Sequence, residues 1–437
     1  MRSALLTALA AFLASLASLA LPAAGLANGR YPEAGQLAVD PTDARHLVAR
    51  TTFGLLQSFD AGSSWSWICE EAVSATGFTD PEIALTTGGR IALGLPDGVA
   101  LGDPSGCGWS RPPGLAGDNV IDLVADRASP STLYAAAAVT VGGAFNALVA
   151  SSTDGFSWGM RGSLIPDAYP LTIEVAPSRP TRLYLGAEDG NLETGLIAVS
   201  DDGGDTWTTR ASPAGVDAVY VSGVDPQDPD RLYLRAYFPK GSLYVSDDGA
   251  QTWSLIHQAD VPLTGFALSP DGRQIAVGSM EGVTLLTRAD GDAATTYAVG
   301  QMSSLPTSCL TWTTAGLFAC TDEATAGFTI GVSTDGGGTF APLLHLADLR
   351  PAACAAGTSA AICASEWCAT ATIIEASCAA TTDAAVDAAS SGERPATATA
   401  TATGCACDAA GGGRPGEALA LGIVLALALA RRRHLEA

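Results

Sequence analysis

The chain has 437 residues and a formal net charge of −23, because it carries 45 acidic and only 22 basic side chains. Phosphate backbones bind to basic surfaces, so this charge excludes nucleic acid as an expected partner. Beyond that exclusion, a net charge far from zero favours solubility and says little about the fold.

Residues 1–27 are typical of a secretory signal peptide. Arg2 supplies the positive end, an apolar run extends from Ala4 to Leu21, and a small-residue cleavage site ends at Ala27. The run is nearly long enough for a membrane anchor, but the small-residue site favours removal. We therefore predict that the body is exported. In an exported chain, ten cysteines favour disulfides, and we expect no metal site and no cofactor.

A short pattern, S-x-D-x-G-x-T-W, recurs along residues 28–349, and we call each copy a box. Its clearest copy has these residues at the fixed positions: Ser200, Asp202, Gly204, Thr206 and Trp207. The Ser and Asp side chains can accept turn N–H groups, and Gly supplies a backbone conformation that other residues resist. The Trp then starts a strand, and we expect it to bury a large apolar surface beside the turn.

Six further boxes follow the same pattern more or less completely. Three of them are close copies, with Ser58, Asp60, Gly62 and Trp65; with Ser246, Asp248, Thr252 and Trp253; and with Ser333, Asp335, Gly337, Thr339 and Phe340. One copy that is a residue short has Asp154 and Trp158, and two weaker copies have Asp103 and Trp109, and Asp292 and Tyr297. The closing aromatic residues are 43 to 49 residues apart, and a period near 45 is the length of one four-stranded propeller blade.

Alternating apolar residues and turn signals predict four strands in each repeat. The fifth repeat is the clearest, with strands predicted at residues 218–224, 231–236, 242–245 and 252–257. Seven such repeats predict an all-β fold, a seven-bladed β-propeller with four-stranded blades over residues 28–349. We expect this body to be monomeric.

The boxes resemble the Asp-box, or BNR, repeat family. That family includes sialidases, xyloglucan-type glycoside hydrolases, sortilin-like receptor domains and photosystem II assembly-factor propellers. The resemblance covers roughly residues 28–347 and implies the propeller fold. In that family the box is structural and lies away from the ligand face, so the resemblance implies no catalytic residue in this chain.

The cysteines of the predicted propeller suggest one local pair. Cys309 and Cys320 flank a turn, and pairing Trp312 with Leu317 places them opposite each other. They form either a cross-strand disulfide or two small buried residues. Cys69 and Cys107 fall in neighbouring blades, and the sequence does not show whether they meet.

The pattern changes after the last box. Residues 350–378 contain four cysteines and no histidine, which favours a small disulfide-stapled segment over a zinc site: Cys354, Cys363, Cys368 and Cys378. Four cysteines allow three pairings among themselves. Residues 379–403 are rich in Ala and Thr and are predicted to be a disordered spacer.

Residues 404–437 combine a cysteine motif, an apolar run at residues 418–430 and an arginine cluster. Thirteen helical residues span about 20 Å, which is short of a hydrocarbon core of about 30 Å. This arrangement resembles the myxobacterial C-terminal sorting tail, MYXO-CTERM, and by that resemblance Cys405 or Cys407 is the position of processing or anchoring. The alternative is a plain short C-terminal anchor. Both interpretations place the protein at the cell surface or outer membrane, attached to a membrane through a short hydrophobic helix.

The loops opposite the boxes are rich in acidic residues: Glu70, Glu71, Asp80, Glu82, Asp97, Glu188, Asp189, Glu193, Glu281, Asp322 and Glu323. Two of them could form a carboxylate pair for glycoside hydrolysis, several could form a cation-binding rim, or all could simply be solvated. The ligand-face candidates are the acids Glu188, Asp189, Glu281, Asp322 and Glu323 and the aromatic residues Tyr237 and Phe238.

No motif for a common catalytic chemistry occurs in the sequence in the context that it requires. The sequence contains no H-E-x-x-H, and its G-x-S-x-G match at residues 155–159 lies inside a box rather than between a strand and a helix. Its four histidines are scattered, and the G-x-G-x-x-G match at residues 411–416 lacks the strand and helix that it requires. We therefore favour a non-catalytic binding or scaffold module for a protein or glycan at the cell surface. The alternative is a divergent glycoside hydrolase, sialidase-like or xyloglucanase-like, that uses paired carboxylates.

Overall fold

A computed structural model describes residues 31–73, 80–237, 240–289 and 295–378. The predicted signal peptide, the spacer and the C-terminal tail with Cys405 and Cys407 lie outside these residues, as do Phe238 and Asp292. Among the residues that are described, no helix is both long and apolar enough to cross a membrane.

Seven antiparallel sheets, each built from four consecutive strands, confirm the predicted all-β seven-bladed propeller. Blades 1 to 3 contain β1 to β12, at Ala34–Val39, Leu47–Thr51, Gly54–Ser58 and Ser66–Ile68; Ile83–Leu85, Ile91–Leu95, Gly98–Gly102 and Trp109–Ser110; and Asn119–Ala125, Leu133–Val141, Ala144–Ser152 and Gly159–Met160.

Blades 4 to 7 continue in the same order along the chain. They contain β13 to β28, at Ala168–Val175, Leu183–Asp189, Gly195–Ser200 and Thr208–Ala211; Tyr220–Val224, Leu232–Ala236, Gly241–Ser246 and Ser254–Ala259; Leu263–Leu268, Gln274–Ser279, Gly282–Arg288 and Tyr297–Ser303; and Cys309–Thr313, Gly316–Cys320, Ile330–Ser333 and Ala341–Leu344. A short helix, α1 at Glu323–Ala326, lies between the second and third strands of blade 7.

The apolar core lies between neighbouring blades. Tyr184 and Val221 of blades 4 and 5 belong to one buried cluster, and Tyr233 and Ile275 of blades 5 and 6 belong to the next. Burying a large apolar side chain stabilises a fold by about 1.5–3 kcal/mol. Each blade therefore depends on both of its neighbours, and the ring must close to complete the core.

Blade 7 meets blade 1 without exchanging a strand, since the four sequential strands of blade 1 come from one stretch of chain. Two side chains of blade 7 donate across the junction to backbone carbonyls of β1: Ser308 Oγ to Ala34 at 2.6 Å and Thr311 Oγ1 to Leu37 at 2.7 Å. The closure by the propeller itself is non-covalent.

Residues 350–378, which we call the clasp, reinforce that closure from the outside. A two-residue strand, β29 at Arg350–Pro351, extends blade 1 by pairing in parallel with β4. Disulfides then join the clasp to blade 1 through Cys69–Cys363 and to blade 2 through Cys107–Cys354. Only Cys368 and Cys378 pair with each other inside the clasp.

The disulfide pattern therefore differs from a self-contained cap, because two of the four clasp cysteines bond to the blades. The physical reason is the size of the clasp, which has one helix, α2 at Cys363–Ile373, and no core of its own. Its Trp367 is 2% exposed and packs on Trp67 of β4 with ring centroids 5.7 Å apart. In blade 7, Cys309 and Cys320 are directly opposite in the strand pair and form a disulfide.

The box turns are held by hydrogen bonds from their own side chains. In blade 4, Ser200 Oγ donates to Asp202 at 2.8 Å and accepts the N–H of Gly204 at 2.8 Å. The Asp202 carboxylate accepts the backbone N–H and the hydroxyl of Thr206 at 2.8 and 2.6 Å. The indole N–H of Trp207 then donates to Gly204 O at 2.9 Å.

The other described boxes repeat this arrangement with small changes. Ser58, Ser246 and Ser333 make the same pair of bonds as Ser200. The glycine position has a positive φ in each case, 93° at Gly204 and 71° at Ala250, where a Cβ makes that backbone conformation strained. The other residues of the pattern therefore maintain the turn geometry even in blade 5, where Ala250 replaces the glycine.

The closing aromatic residues are less buried than we expected. Trp65 is 5% exposed, but Trp207 is only half-buried, as are the closing residues of the other boxes: Trp109, Trp158, Trp253, Tyr297 and Phe340. They begin the outermost strand of each blade, so one side of the ring faces solvent. Trp65 differs because it belongs to the apolar cluster that also contains Trp367 of the clasp.

Candidate binding site at the central channel

The strand order assigns the loops to two faces of the ring. The box turns connect the third and fourth strands of each blade, so they lie at one end, which we call the box face. Loops between the second and third strands lie at the opposite end, the box-free face, because consecutive strands are antiparallel. The described ligand-face candidates all occur in or next to the latter loops: Glu188, Asp189, Tyr237, Glu281, Asp322 and Glu323.

Several of these acids are engaged in local structure. Asp189 accepts the backbone N–H groups of Asn191 and Glu193 at 3.2 and 2.9 Å. Both hydrogen bonds lower the pKa of Asp189, and the bond from Glu193 has the larger effect. Asp322 accepts the N–H of Ala324 at 3.0 Å and caps α1. These two carboxylates therefore stabilise the loops that carry them.

Glu323 and Glu281 also differ in surroundings. Glu323 accepts the Thr329 hydroxyl at 2.6 Å and the N–H of Leu346 at 2.7 Å, which ties α1 to the chain that leaves blade 7. Glu281 is exposed in the turn between β22 and β23, where its N–H donates to Ser279 Oγ at 3.1 Å. The candidates of blades 6 and 7 thus remain separate on the ring.

The innermost strands surround a central channel of about 660 Å³. Its charged lining consists of Glu33, Arg50, Asp80, Glu82, Arg127, Glu174 and Arg235. Arg50 donates to Asp80 O at 2.9 Å and lies 3.8 Å from the Glu82 carboxylate. This volume lies within the range of about 300–1,000 Å³ that is typical of small-ligand sites.

Two acids on the inner strands have unusual protonation. Glu174 of β13 is half-buried in the channel, and burial raises its pKa to about 7, although Arg127 offsets part of that effect. Asp122 of β9 accepts the N–H of Ile173 at 2.7 Å, but burial first and the charge of Glu82 second raise its pKa well above the ordinary value. Near neutral pH Glu174 is therefore protonated part of the time, and Asp122 keeps its proton to a higher pH than an ordinary aspartate, because a buried charge beside the channel is unfavourable.

The mouth of the channel on the box-free face carries the same arrangement in two neighbouring blades. In blade 4, Tyr169 on the first strand is directly opposite Glu188 on the second. In blade 5, Tyr220 on the first strand is directly opposite Arg235 on the second. Directly opposite residues of an antiparallel pair project to the same side of the sheet, so each blade presents a tyrosine beside a charged group.

Two contacts between these side chains lie within blade 5. The rings of Tyr220 and Tyr237 are 4.7 Å apart and nearly perpendicular, and the Arg235 guanidinium lies 5.9 Å from the centre of the Tyr237 ring. Burial raises the pKa of Tyr220 to about 12, with further contributions from Tyr237 and Glu188. We call Tyr169, Glu188, Tyr220, Arg235 and Tyr237 the mouth cluster.

The guanidinium of Arg235 is fixed from below. Its Nε donates to Ser222 Oγ at 2.8 Å, and Nη1 donates to the carbonyls of Leu263 and Thr264 at 3.2 and 2.9 Å. These bonds join blade 5 to the first strand of blade 6. The cation is therefore held at the channel wall, where it lines the mouth together with Tyr237.

Part of this site was predicted from the sequence. Glu188 and Tyr237 were predicted as ligand-face candidates, and the structure brings them to one cluster. Tyr169, Tyr220 and Arg235 were not predicted, and neither were Asp122 and Glu174. The signals were present, since each acid interrupts an apolar strand and the predicted strands of the fifth repeat already contained Tyr220 and Arg235.

No protein-family model matches the chain, and no curated protein matches it. Solved structures do. An ancestral GH74 enzyme is similar with a TM-score of 0.55 and 14% identity over 72% of this chain and 46% of that one. Hydrazine synthase of Kuenenia stuttgartiensis is similar with a TM-score of 0.50 and 13% identity over 70% and 97% of the chains. The GH74 enzyme of Niastella koreensis gives 0.42 and 14% over 74% and 66%, which is too weak to support an argument.

This chain therefore spans less than half of the ancestral GH74 enzyme that it matches. At 13–14% identity, the similarities to that enzyme and to hydrazine synthase show a shared fold alone and carry no information about activity. They establish that the chain folds as a β-propeller.

Proposed function

We propose that this protein is a non-catalytic binding module, exported and anchored at the cell surface, that takes its ligand at the box-free mouth of the central channel. The observation that carries the proposal is the mouth cluster, where two neighbouring blades place aromatic, acidic and basic side chains at matching positions beside a channel of about 660 Å³. A largely preformed cavity with a few convergent polar groups is the usual form of a ligand site.

Export and anchoring rest on the sequence. The signal at residues 1–27 supports export, and the tail at residues 404–437, with Cys405 and Cys407, supports attachment to a membrane. The ligand is then a protein or glycan that the exposed propeller meets at the cell surface. Binding without catalysis is supported by the use of Asp189, Asp322 and Glu323 in local hydrogen bonds.

A second candidate function is glycoside hydrolysis, and a specific observation favours it. Burial first, and the charge of the Glu82 carboxylate second, raise the pKa of Asp122 well above its ordinary value. A carboxyl group with a raised pKa that acts together with a carboxylate is the pattern that glycoside hydrolases use. In this alternative Asp122 is the acid, and Glu82 the base or nucleophile.

The test applies the full-length protein to a panel of immobilised polysaccharides and measures retention and newly formed reducing ends. We expect retention without new ends. New ends that disappear in both Asp122→Asn and Glu82→Gln would establish the hydrolase instead. If no polysaccharide retains the protein, cross-linking on intact cells tests for a protein partner.

Lys240 provides a test, with a matched control variant, of which face of the ring binds the ligand. It is the only lysine in the sequence, and it lies between β18 and β19 on the box-free face, where it is half exposed and pairs with Asp260. Coupling a bulky amine-reactive polymer to Lys240 should block retention, while the same treatment of Lys240→Gln should not. Equal retention in both cases would contradict binding at this face.

A further inference from the structure

The residues of the mouth cluster are placed by the pairing of β13 with β14 and of β17 with β18. Tyr169 and Glu188 occupy the same positions of blade 4 that Tyr220 and Arg235 occupy in blade 5. All four side chains are half-buried, so each packs against protein and is also partly exposed to solvent. Tyr237 adds a third phenol ring from the loop that follows β18.

We propose that the mouth cluster is a subsite for an uncharged pyranose unit of a glycan. This inference rests on the proposed binding function and names the chemical class of its ligand. The unit lies against the tyrosine rings, its hydroxyl groups bond to Glu188 and Arg235, and the adjoining sugar units extend into or across the channel.

The charges of the cluster favour a neutral ligand. Burial raises the pKa values of Tyr169 and Tyr220, and the charge of Glu188 in blade 4 adds to both shifts. In blade 5, Arg235 lies over the ring of Tyr237. An ion of either sign meets one charge of its own sign as well as one of the opposite sign, whereas a neutral hydroxyl-rich group can donate to Glu188 and accept from Arg235 without that repulsion.

The tyrosines select a ring with an apolar face. A pyranose presents C–H groups on its faces and hydroxyl groups around its edge, which matches aromatic rings bordered by hydrogen-bonding groups. An extended peptide has no such planar apolar face, and its backbone hydrogen bonds call for a sheet edge. The strands β14 and β18, which carry Glu188 and Arg235, are paired on both sides and offer no such edge.

The channel behind the cluster agrees with a neutral ligand. Burial raises the pKa of Glu174 to about 7 and raises that of Asp122 above its ordinary value. Near neutral pH Glu174 is present in both its protonated and its charged form, and the protonated form can donate to hydroxyl groups as well as accept from them. A neutral sugar that reaches Glu174 in the channel therefore meets a hydrogen-bond donor as well as an acceptor.

The experiment measures the affinity of the full-length protein, by calorimetry, for neutral, uronic-acid and amine-bearing oligosaccharides of equal length. We expect the neutral class to bind at least about tenfold more tightly than either charged class. Tyr220→Ala and Tyr237→Ala should each weaken neutral binding about tenfold, whereas Tyr220→Phe should change it less than about threefold. Tyr134→Ala, which removes a half-buried tyrosine near the box face, is the matched control and should leave affinity unchanged.

Charge reversal gives an independent outcome. Glu188→Gln should improve binding of the uronic-acid class relative to the neutral class. Charged oligosaccharides that bind wild type as tightly as neutral ones, or a neutral affinity that survives both Tyr220→Ala and Tyr237→Ala, would overturn the subsite. If instead a cell-surface protein binds and its affinity depends on Tyr220, the binding function stands and the sugar subsite falls. If no ligand of either kind binds, the proposed function itself fails.

Discussion

Blade 1 and blade 4 contain the same box chemistry, yet they are held in the ring in different ways. Ser58 and Ser200 make the same bonds in their turns at nearly equal distances. Blade 4 is held by packing against its two neighbours, whereas blade 1 also receives β29, α2 and the Cys69–Cys363 disulfide. The comparison shows that both blades use the same turn and that the additional reinforcement is concentrated where the ring closes.

The need for that reinforcement follows from the closure. Many interactions inside one blade involve residues near in sequence, but blade 7 and blade 1 are joined by contacts such as Thr311 to Leu37, 274 residues apart. Such contacts form only after a long loop is closed, at a cost in entropy. A covalent bond between Cys69 and Cys363 reduces that cost in the unfolded chain.

The largest expected effect is the loss of this disulfide. Changing Cys69 and Cys363 together to Ala should lower the free energy of unfolding by about 4 kcal/mol, because the bond closes a long loop. Removing Cys368–Cys378, which closes a loop between residues only ten apart, should cost about 2–3 kcal/mol. Denaturant unfolding of both variants without reductant measures the difference. Equal losses would mean that the clasp does not stabilise the closure.

A second comparison uses the two box tryptophans. Trp65→Ala should destabilise by about 3–5 kcal/mol, since the ring is buried. Trp207→Ala should cost only about 2 kcal/mol, because its ring is already partly exposed to solvent. Urea unfolding of the two variants against wild type gives the two values. A cost for Trp207→Ala as large as that for Trp65→Ala would show that the exposed side is covered in solution.

The clasp also predicts a smaller effect with a definite dependence on pH. The carboxylates of Glu366 on α2 and Glu71 of blade 1 lie within 4.8 Å. Burial first, and Glu71 and Glu70 next, raise the pKa of Glu366 to about 7, against 4.5 for an ordinary glutamate. The folded state therefore binds this proton more tightly than the unfolded state, and stability falls as pH rises from about 4.5 to about 7.

Glu366→Gln removes that titration. The variant should be more stable than wild type by about 1 kcal/mol at pH 8, after allowance for solvent screening of a partly exposed pair, and nearly equal to it at pH 4.5. Unfolding measured at both pH values tests this. Glu375→Gln, at the end of the same segment, is the control and should not remove the dependence. A wild-type stability that does not fall over this interval would contradict the role of the pair.

The smallest expected effect has the opposite sign and belongs to the boxes. The Thr206 hydroxyl, and next its backbone N–H, lower the pKa of Asp202 to about 2 from an ordinary 3.8. This contribution is present above about pH 4 and is lost as pH falls towards 2. Asp202→Asn should therefore flatten the acid limb of the stability curve, and Asp60→Asn in blade 1 should do the same. An unchanged acid limb in both would show that the box carboxylates do not contribute.

Features of this fold could be predicted from the sequence when the interacting residues are close together along the chain, and less well when they are far apart. Ser200, Asp202 and Thr206 lie within one turn, so the seven repeats and their strands could be deduced from a pattern and its period. Tyr220 and Arg235 face each other across a hairpin, and their register was within reach once the strands were placed. Cys69 and Cys363 are 294 residues apart, and no periodic signal connects them.

The burial of the box aromatics was overestimated for a related reason. The repeat pattern places Trp207 at the start of the fourth, outer strand of its blade, but it does not show how much of an aromatic ring at that position the neighbouring residues cover. The acids of the channel were missed for the converse reason. Asp122 and Glu174 occupy strands that otherwise appear as core, and only the closed ring shows that those strands line or border a channel.

The position at which the described chain ends has a mechanical consequence. Cys378 is bonded to Cys368 on α2, and α2 is bonded through Cys363 to blade 1. A pulling force applied to the chain beyond Cys378 is therefore carried to the first blade by sulfur–sulfur bonds. The force therefore does not break the hydrogen bonds that hold β28 in the last blade one after another. A ring held by a force at this end of the chain resists strand-by-strand unfolding from that end.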